Sequence, residues 1–223
     1  MSGPPVGRDV RAAEPVGEPR PVIEGDGVTL RPPDPGDAAL LFPATHGAHA
    51  AVWTYMAYGP WTAERGMSEW IASTVDSEDP RWWTAEVEGG PVGMAALTNR
   101  DRANRRVEIG HIWYSPTAQR TTVNTEVAYL LLRESFDHLA CRRVEWKCDA
   151  LNEPSRKAAL RLGFEFEGVF RNHMIVKGRN RDTAWYAMID DEWPGARARL
   201  EEWLYETPRE AGRPVRGLSS IGG

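Results

Sequence analysis

Apolar positions along this chain change period several times, and each change marks a predicted element. Residues 28–31 alternate as a short strand halted by Pro32 and Pro33. Residues 37–46 have helical spacing. Residues 53–61 make an aromatic loop carrying Trp53, Tyr55, Tyr58 and Trp61. Thr62 is placed to cap a helix running to residue 76, with Glu64 in its first turn. Residues 82–88 and 92–99 flank Gly89, Gly90 and Pro91, a hairpin signal. In the strand over 105–114, alternation puts Val107, Ile109, His111 and Trp113 on one face. Glu108, Gly110, Ile112 and Tyr114 take the other. Residues 123–139 are apolar on most sides of a helix, which predicts deep burial. A strand follows over 143–149. Asn152 then caps a helix with Pro154 in its first turn and Gly163 at its end. Residues 164–170 alternate again, 177–181 turn, 182–189 return beside them, and 191–205 form a last helix. A meander followed by a strand–helix–strand crossover predicts an α/β (α+β) fold. Its sheet is mixed and mostly antiparallel, with helices on both faces.

Composition narrows the setting. The 223 residues allow one domain of about 150–200 residues with two tails. Residues 1–26 and 206–223 are rich in Pro, Gly, Arg and Glu and read as flexible tails around a single domain over 27–205. A net charge of −5 and a pI near 5.6 argue against a nucleic-acid or anionic-membrane partner. Arginines grouped at 100–106 and 171–181 leave room for a local anion site. Two cysteines, neither at metal-ligand spacing from a histidine, predict no disulfide framework and no metal. No apolar run approaches the ~18–20 residues of a membrane span. The N-terminus lacks a signal core, so a cytoplasmic home is expected. Ten tryptophans and the last helix leave room for a homodimer.

The entry into the long helix is where chemistry becomes legible. A helix start leaves backbone N–H groups unpaired and partly positive, so it can hold a diphosphate without a lysine cluster. Gln119, Arg120, Thr121, Thr122, Val123, Asn124 and Thr125 span that junction. Arg120 can add a charge-assisted contact, and the Thr and Asn side chains can donate hydrogens. The same residue types dominate plain helix caps, so both readings stand on the loop alone.

Several pieces in order resemble the GNAT acyltransferase superfamily, in its RimJ/RimL-like (ribosomal-protein N-acetyltransferase-like) branch. Gln119 begins that family's Q/R-x-x-G-x-G/A junction, and Thr125, Glu126 and Val127 follow it. Thr122 and Asn124 stand where small residues are expected, so their side chains must point away or meet phosphate themselves. Glu108 to Gly110, the Asn152–Ser155 turn, the helix closing on Gly163 and Phe164, and Gly178 to Asp182 complete the set. The resemblance covers residues 28–193.

It implies acetyl-CoA as donor and a primary amine as acceptor, whether a small molecule, an aminoacyl conjugate or a protein N-terminus. It also implies that strands 105–114 and 143–149 are parallel and splay, with pantetheine between them against Ile112, Trp113 and Tyr114. A freed N–H near Ile112 or Trp113 could stabilise the oxyanion, an effect of about 3–4 kcal/mol. The amine must attack neutral, although free amines have pKa values of about 8–10, so a proton acceptor is needed. Glu108 is the candidate, against the plainer reading of a salt-bridged strand residue. His111 reads more as a core histidine, and His173 is a third option. Ser155 would hydrogen-bond the leaving thiolate, while Asn152 would bond pantetheine, cap its helix, or both. The tyrosine that many relatives place later in this helix is absent, since Ala158, Ala159 and Leu160 stand there. Arg156 and Lys157 either reach phosphates or form a solvated face. Trp53, Tyr55, Tyr58 and Trp61 either wall the acceptor or pack into the core. The expected function is an acetyl-CoA-dependent N-acetyltransferase. A non-catalytic acyl-CoA-binding or regulatory module, or a structural domain without cofactor, are the alternatives.

Overall fold

Eight strands hydrogen-bond into one main sheet in the computed structural model, which describes residues 6–10, 17–210, 213–214 and 216–220. They are β1 (Ile23–Glu24), β2 (Thr29–Arg31), β3 (Arg81–Val87), β4 (Gly90–Asp101), β5 (Arg106–Tyr114), β6 (Arg143–Asp149), β7 (Glu165–Val176) and β8 (Arg179–Ile189). Their spatial order is β1-β2-β3-β4-β5-β6-β8-β7. Only β5 and β6 run parallel. Helix α3 (Val123–Arg133) makes the crossover that a parallel neighbour requires.

The predicted helices on both faces are present. On one side α3, α4 (Glu153–Leu162) and α5 (Trp193–Glu201) bring Leu130, Leu162 and Leu200 against Val107, Ile109, Val144 and Trp146. On the other, α1 (Ala38–Thr45) and α2 (Glu64–Ala72) bring Leu41, Met67 and Ile71 against Trp82, Met94 and Trp113. Some bounds move. The helix expected over 123–139 turns π-helical at Glu134–His138. Ala63, not Thr62, precedes α2, and no side chain caps that helix. The turn expected over 177–181 is confined to Lys177 and Gly178, and residues 179–181 pair along a longer hairpin, with Met174 opposite Arg181 and Val176 opposite Arg179.

The alternation expected along β5 fails in its second half. Ala96 pairs with Gly110 but Met94 pairs with Trp113, so β5 carries one residue more than β4 over this interval. His111 absorbs it at φ 56°, in the left-handed region that a β-carbon disfavours. Beyond this bulge the faces exchange. Ile112 and Tyr114 join Val107 and Ile109 on the α3 side. Trp113 lies on the α1–α2 side, where His111 packs against Trp82. The face given above to His111 and Trp113, and that given to Ile112 and Tyr114, are both corrected by this single insertion.

The flexible tail expected over 1–26 ends early. Residues 1–5 and 11–16 lie outside the described residues, but 17–26 are bound to the domain. The fully buried Glu134 carboxylate accepts from the Arg20 backbone N–H at 2.9 Å and from its Nε at 2.7 Å. Ile23 enters the core at 2% exposure. The buried Glu126 carboxylate accepts from the N–H groups of Asp26 at 2.6 Å and Gly27 at 2.9 Å, and a β-carbon at Gly25 would collide with it. These anchors are single polar contacts, so no periodicity announces them. The C-terminal tail is likewise held where it is described. The Trp203 indole donates to the Arg216 carbonyl at 2.8 Å, and Leu218 is 2% exposed. Glu126→Ala removes the acceptor of two backbone donors, so the urea midpoint should fall by the equivalent of about 2 kcal/mol. Amide exchange at Asp26 and Gly27 should quicken, and unchanged exchange there would show that the anchor holds nothing.

Candidate active site

The parallel ladder of β5 and β6 runs from Arg106↔Arg143 to Ile109↔Trp146 and stops. Both strands continue, β5 to Tyr114 and β6 to Asp149. Each keeps its outer partner, β5 through Gly93↔Tyr114 and β6 through Asp149↔Thr183, so the sheet opens only between them. The bulge at His111 lies at the start of this opening and bends β5 there. On the side facing β6, the backbone of 110–114 has no ladder partner, and such groups require one.

Glu108 sits where the ladder closes, on the α1–α2 side. It is 8% exposed, and its Oε2 accepts from Lys147 Nζ at 2.6 Å and from Asn99 Nδ2 at 2.7 Å. Its Oε1 lies above Gly110, where an added β-carbon would come within 3.3 Å of it. One carboxylate oxygen is therefore fixed and the other overlooks a residue without a side chain. Burial pushes the Glu108 carboxyl above its ordinary value, while the charge and hydrogen bond of Lys147 and the Asn99 amide pull the other way. Lys147 also lies 3.5 Å from Glu145 and 4.0 Å from the centre of the Trp185 ring. Glu145 takes its closest hydrogen bond from Arg143, at 2.9 Å. Both readings of Glu108 thus meet in one side chain, which is salt-bridged and keeps a free oxygen.

An aromatic wall rises beside it. Tyr58 stacks on Trp70 at 4.5 Å and on His111 at 5.9 Å, and Trp82 lies 4.5 Å from His111. Burial, and then the charge of Arg181, lower the His111 imidazole to about 4, so it is neutral and weakly basic. His111 is consequently a half-buried wall residue on the Glu108 side and not a core histidine. Trp53 is fully buried, its indole donating to the Thr45 carbonyl at 2.9 Å, so its ring is core and cannot touch an acceptor. Trp61 packs on Trp53 at 5.0 Å and takes a backbone bond to His46. Tyr55 reaches across to donate to the Leu151 carbonyl at 3.1 Å. Tyr58 and Tyr55 therefore border the candidate site, Trp61 backs it, Trp70 joins the wall, and Trp82 is a wall residue that sequence reasoning left out. Its only signal was the surplus of tryptophan. Lys177, at the tip of the β7–β8 hairpin, donates to the Trp53 carbonyl at 2.8 Å and ties that hairpin to the aromatic loop. His173 contacts Thr183 Oγ1 at 3.0 Å and lies on β7, with Phe170 and Trp185 as ring neighbours.

The loop before α3 assigns its side chains individually. Gln119 donates to the Tyr114 carbonyl at 3.0 Å and closes the loop on itself. Arg120, exposed, takes the left-handed turn at φ 60°. Thr121 does the capping: its hydroxyl accepts from Val123 N–H at 3.2 Å and donates to the Ala118 carbonyl at 2.6 Å. Thr122 has φ −73°, ordinary helical backbone that needs no glycine. Val123 is buried, leaving only its backbone at the junction. Thr125 turns inward, fully buried, where Arg161 of α4 donates to its hydroxyl at 2.7 Å. Its side chain is thus withdrawn from any ligand, and Arg161 is a cation beside the first turn that the sequence did not flag. Asn124 is half-buried, and its N–H and that of Thr125 have no acceptor among the described residues. At α4, Asn152 caps by accepting from Ser155 N–H at 3.2 Å. Ser155 Oγ accepts from the Trp146 indole at 3.0 Å, which leaves its own proton to donate. Arg156 donates to the Tyr186 hydroxyl, and Lys157 forms an exposed pair with Glu153 on the same helix.

Among the described residues no group of three or more His, Cys, Asp or Glu could hold a metal, and no helix is long and apolar enough to cross a membrane. If Lys147 opposes the effect of burial on Glu108, Lys147→Met must raise the pH at which that carboxyl titrates. Carbon-13 NMR of the Glu108 carboxylate reads this directly, and an unmoved midpoint would show that the pair is electrostatically idle.

Comparison with known proteins bears on these features together. Residues 28–165 match the family model described as an acetyltransferase (GNAT) domain. The structure aligns with that of a GCN5-related N-acetyltransferase from Brucella melitensis over 92% of this chain and 96% of that one, at TM-score 0.86 and 36% identity. A probable acetyltransferase of the GNAT family from Chromobacterium violaceum ATCC 12472 aligns over 86% of this chain and 100% of that one, at TM-score 0.77 and 35% identity. The Bacillus subtilis (strain 168) protein named "Putative ribosomal N-acetyltransferase YdaF" is 32% identical over 108 residues, 48% of this chain and 58% of that protein. The chain thus spans a little over half the length of that relative. With most of the sheet inside the family model and the fold shared nearly end to end, the chain belongs to the GNAT acetyltransferase family.

Proposed function

We propose that the chain transfers an acetyl group from acetyl-CoA to the nitrogen of a primary amine, by direct attack of the amine on the thioester. The observation that carries this reading is the split between β5 and β6 past Ile109↔Trp146, which opens beside the start of α3. The residues present fit the cofactor. The unladdered backbone of Ile112, Trp113 and Tyr114 suits the amides of pantetheine. The free N–H groups of Asn124 and Thr125, with Arg120 on the same turn, suit a diphosphate. Asn152 and Ser155 begin α4 beside the end of β6. When bound, acetyl-CoA supplies an activated acyl carbon and a thiol leaving group.

The chain's own residues handle the protons. Glu108 Oε1 accepts one from the incoming ammonium, directly or through water, while Lys147 and Asn99 keep Oε2 from turning away. The Ser155 hydroxyl, already accepting from Trp146, donates toward the departing sulfur. Tyr58, Trp82 and His111 border the acceptor and keep water from its flank. The acceptor is a small amine, an aminoacyl conjugate or a protein N-terminus, and the name of the Bacillus subtilis relative adds ribosomal proteins to the candidates.

Thiol release from acetyl-CoA against a panel of amines tests this. Failure with every amine, together with no thermal shift on adding acetyl-CoA, would refute it. With Glu108 as base, activity rises as pH climbs through the pKa of that carboxyl, which burial raises. Glu108→Gln should lose about a hundredfold in kcat/KM at neutral pH. That loss should shrink as alkali deprotonates the amine, whereas a loss constant across pH would assign Glu108 a structural role. Asn152→Ala and Ser155→Ala should each lower turnover about tenfold through a lost hydrogen bond. Unchanged kinetics in both would remove α4 from the site.

A further inference from the structure

On the α1–α2 side, β8 presents Arg181, Thr183 and Trp185 along one face. Trp185 stands opposite Lys147 and Thr183 opposite Asp149. Two residues beyond Thr183, Arg181 lies past the end of β6 at Asp149, at the open end of the split. Among the described residues it has no ion pair, and its Nε is buried without a hydrogen-bond partner. The indole N–H of Trp185, two residues along the same face, is also buried and unpartnered. Both groups are donors that cannot accept, and leaving them unsatisfied is costly.

The carboxylates nearby each take a hydrogen bond from another group. Glu108 is held by Lys147, Glu145 by Arg143, and Asp182 by the Asn172 N–H and the Asn180 amide. Asp149 accepts from Leu151 N–H, and Asp79 from the N–H groups of Asn99 and Arg100. An open hollow adjoins this face, walled by Phe170, Arg171, Asn172, His173 and Asp182. It contains a second arginine that has no ion pair among the described residues. A donor-only pair without an ion pair among the described residues, at the open end of the split and beside a hollow that holds a second arginine as well as Asp182, is complementary to a negatively charged group entering from outside.

We infer that Arg181, with the Trp185 indole, receives an anionic group carried by the acceptor, so the preferred acceptors are amines bearing a carboxylate or a phosphate. The inference deepens the acetyl-transfer reading and rests on it. Arg181 is a specificity residue here, acting on acceptor binding and on no bond that forms or breaks.

Two matched acceptor pairs test it with the full chain: phenylalanine against phenylalaninamide, and O-phosphoethanolamine against ethanolamine. The anionic member of at least one pair should be favoured about tenfold or more in kcat/KM. Preference confined to the first pair identifies a carboxylate, and to the second a phosphate. Arg181→Gln should erase the preference by raising KM for the anionic acceptor, and Arg181→Lys should keep part of it. The KM for acetyl-CoA and turnover of the neutral acceptor should stay within about twofold, as expected for a charge-specific contact. Equal use of both members by the natural chain, or a Gln variant that weakens both members or acetyl-CoA alike, overturns the inference. Should no acceptor release thiol, calorimetry with phenylacetate and phenyl phosphate decides. Binding that is lost in Arg181→Gln keeps the anion site and sinks the transfer reading, and no binding sinks the anion site itself.

Discussion

A strand has period two, so one inserted residue cannot be absorbed without exchanging every side chain beyond it. β5 carries that insertion at His111, and the geometry of the site descends from it. Before the bulge, β5 is a central strand paired on both sides. After it, the strand keeps β4 and parts from β6. Trp113 joins the aromatic layer under α1 and α2, and Tyr114 enters the opposite core. The left-handed backbone of a non-glycine residue costs on the order of 1 kcal/mol. Burying two large rings on opposite faces offsets it, since each such side chain contributes roughly 1.5–3 kcal/mol. The opening is therefore fixed by packing on either side and does not depend on a ligand to hold it apart.

The electrostatics of the site follow from where the ladder closes. Glu108, Glu145 and Lys147 point to the same side of the sheet because they alternate with Val107, Val144 and Trp146, which point to the other. Three charges share a small volume with little water, and Lys147 stands between two carboxylates. Removing one member would leave another uncompensated, so the group acts as a unit. Within it, the second oxygen of Glu108 faces Gly110, whose missing side chain keeps that approach clear.

The helix starts divide their work in a similar way. At α3 a threonine, Thr121, satisfies one first-turn donor while others stay free, and at α4 Asn152 satisfies the Ser155 N–H. Capping and ligand binding are not competing uses of such segments. Each helix start leaves several donors, and one side chain consumes one of them. The departures from glycine at Thr122 and Asn124 cost nothing in backbone conformation, because the left-handed turn falls two residues before Thr122, on Arg120.

Much of this was legible without coordinates. Local hydrophobic period placed the strands, the crossover and the two-faced helix packing, because burial acts on each segment's own alternation. The motif order assigned Glu108 to one strand of the parallel pair and Asn152 and Ser155 to a helix start, and both assignments match the elements. Trp53 could not be told from its neighbours by sequence, since an aromatic loop residue reads the same whether it faces core or cleft. Nor could Arg161, Lys147 or Arg181, whose roles come from partners 36 or more residues distant, or from having none. The bulge escaped for a related reason, since whether β5 has a residue too many depends on the length of β4 beside it. The amino-acid sequence thus determined which segments bury and in what order they follow. Tertiary structure alone decided register, and with it which side chains meet across the split, because register is a property of two strands and is written in neither.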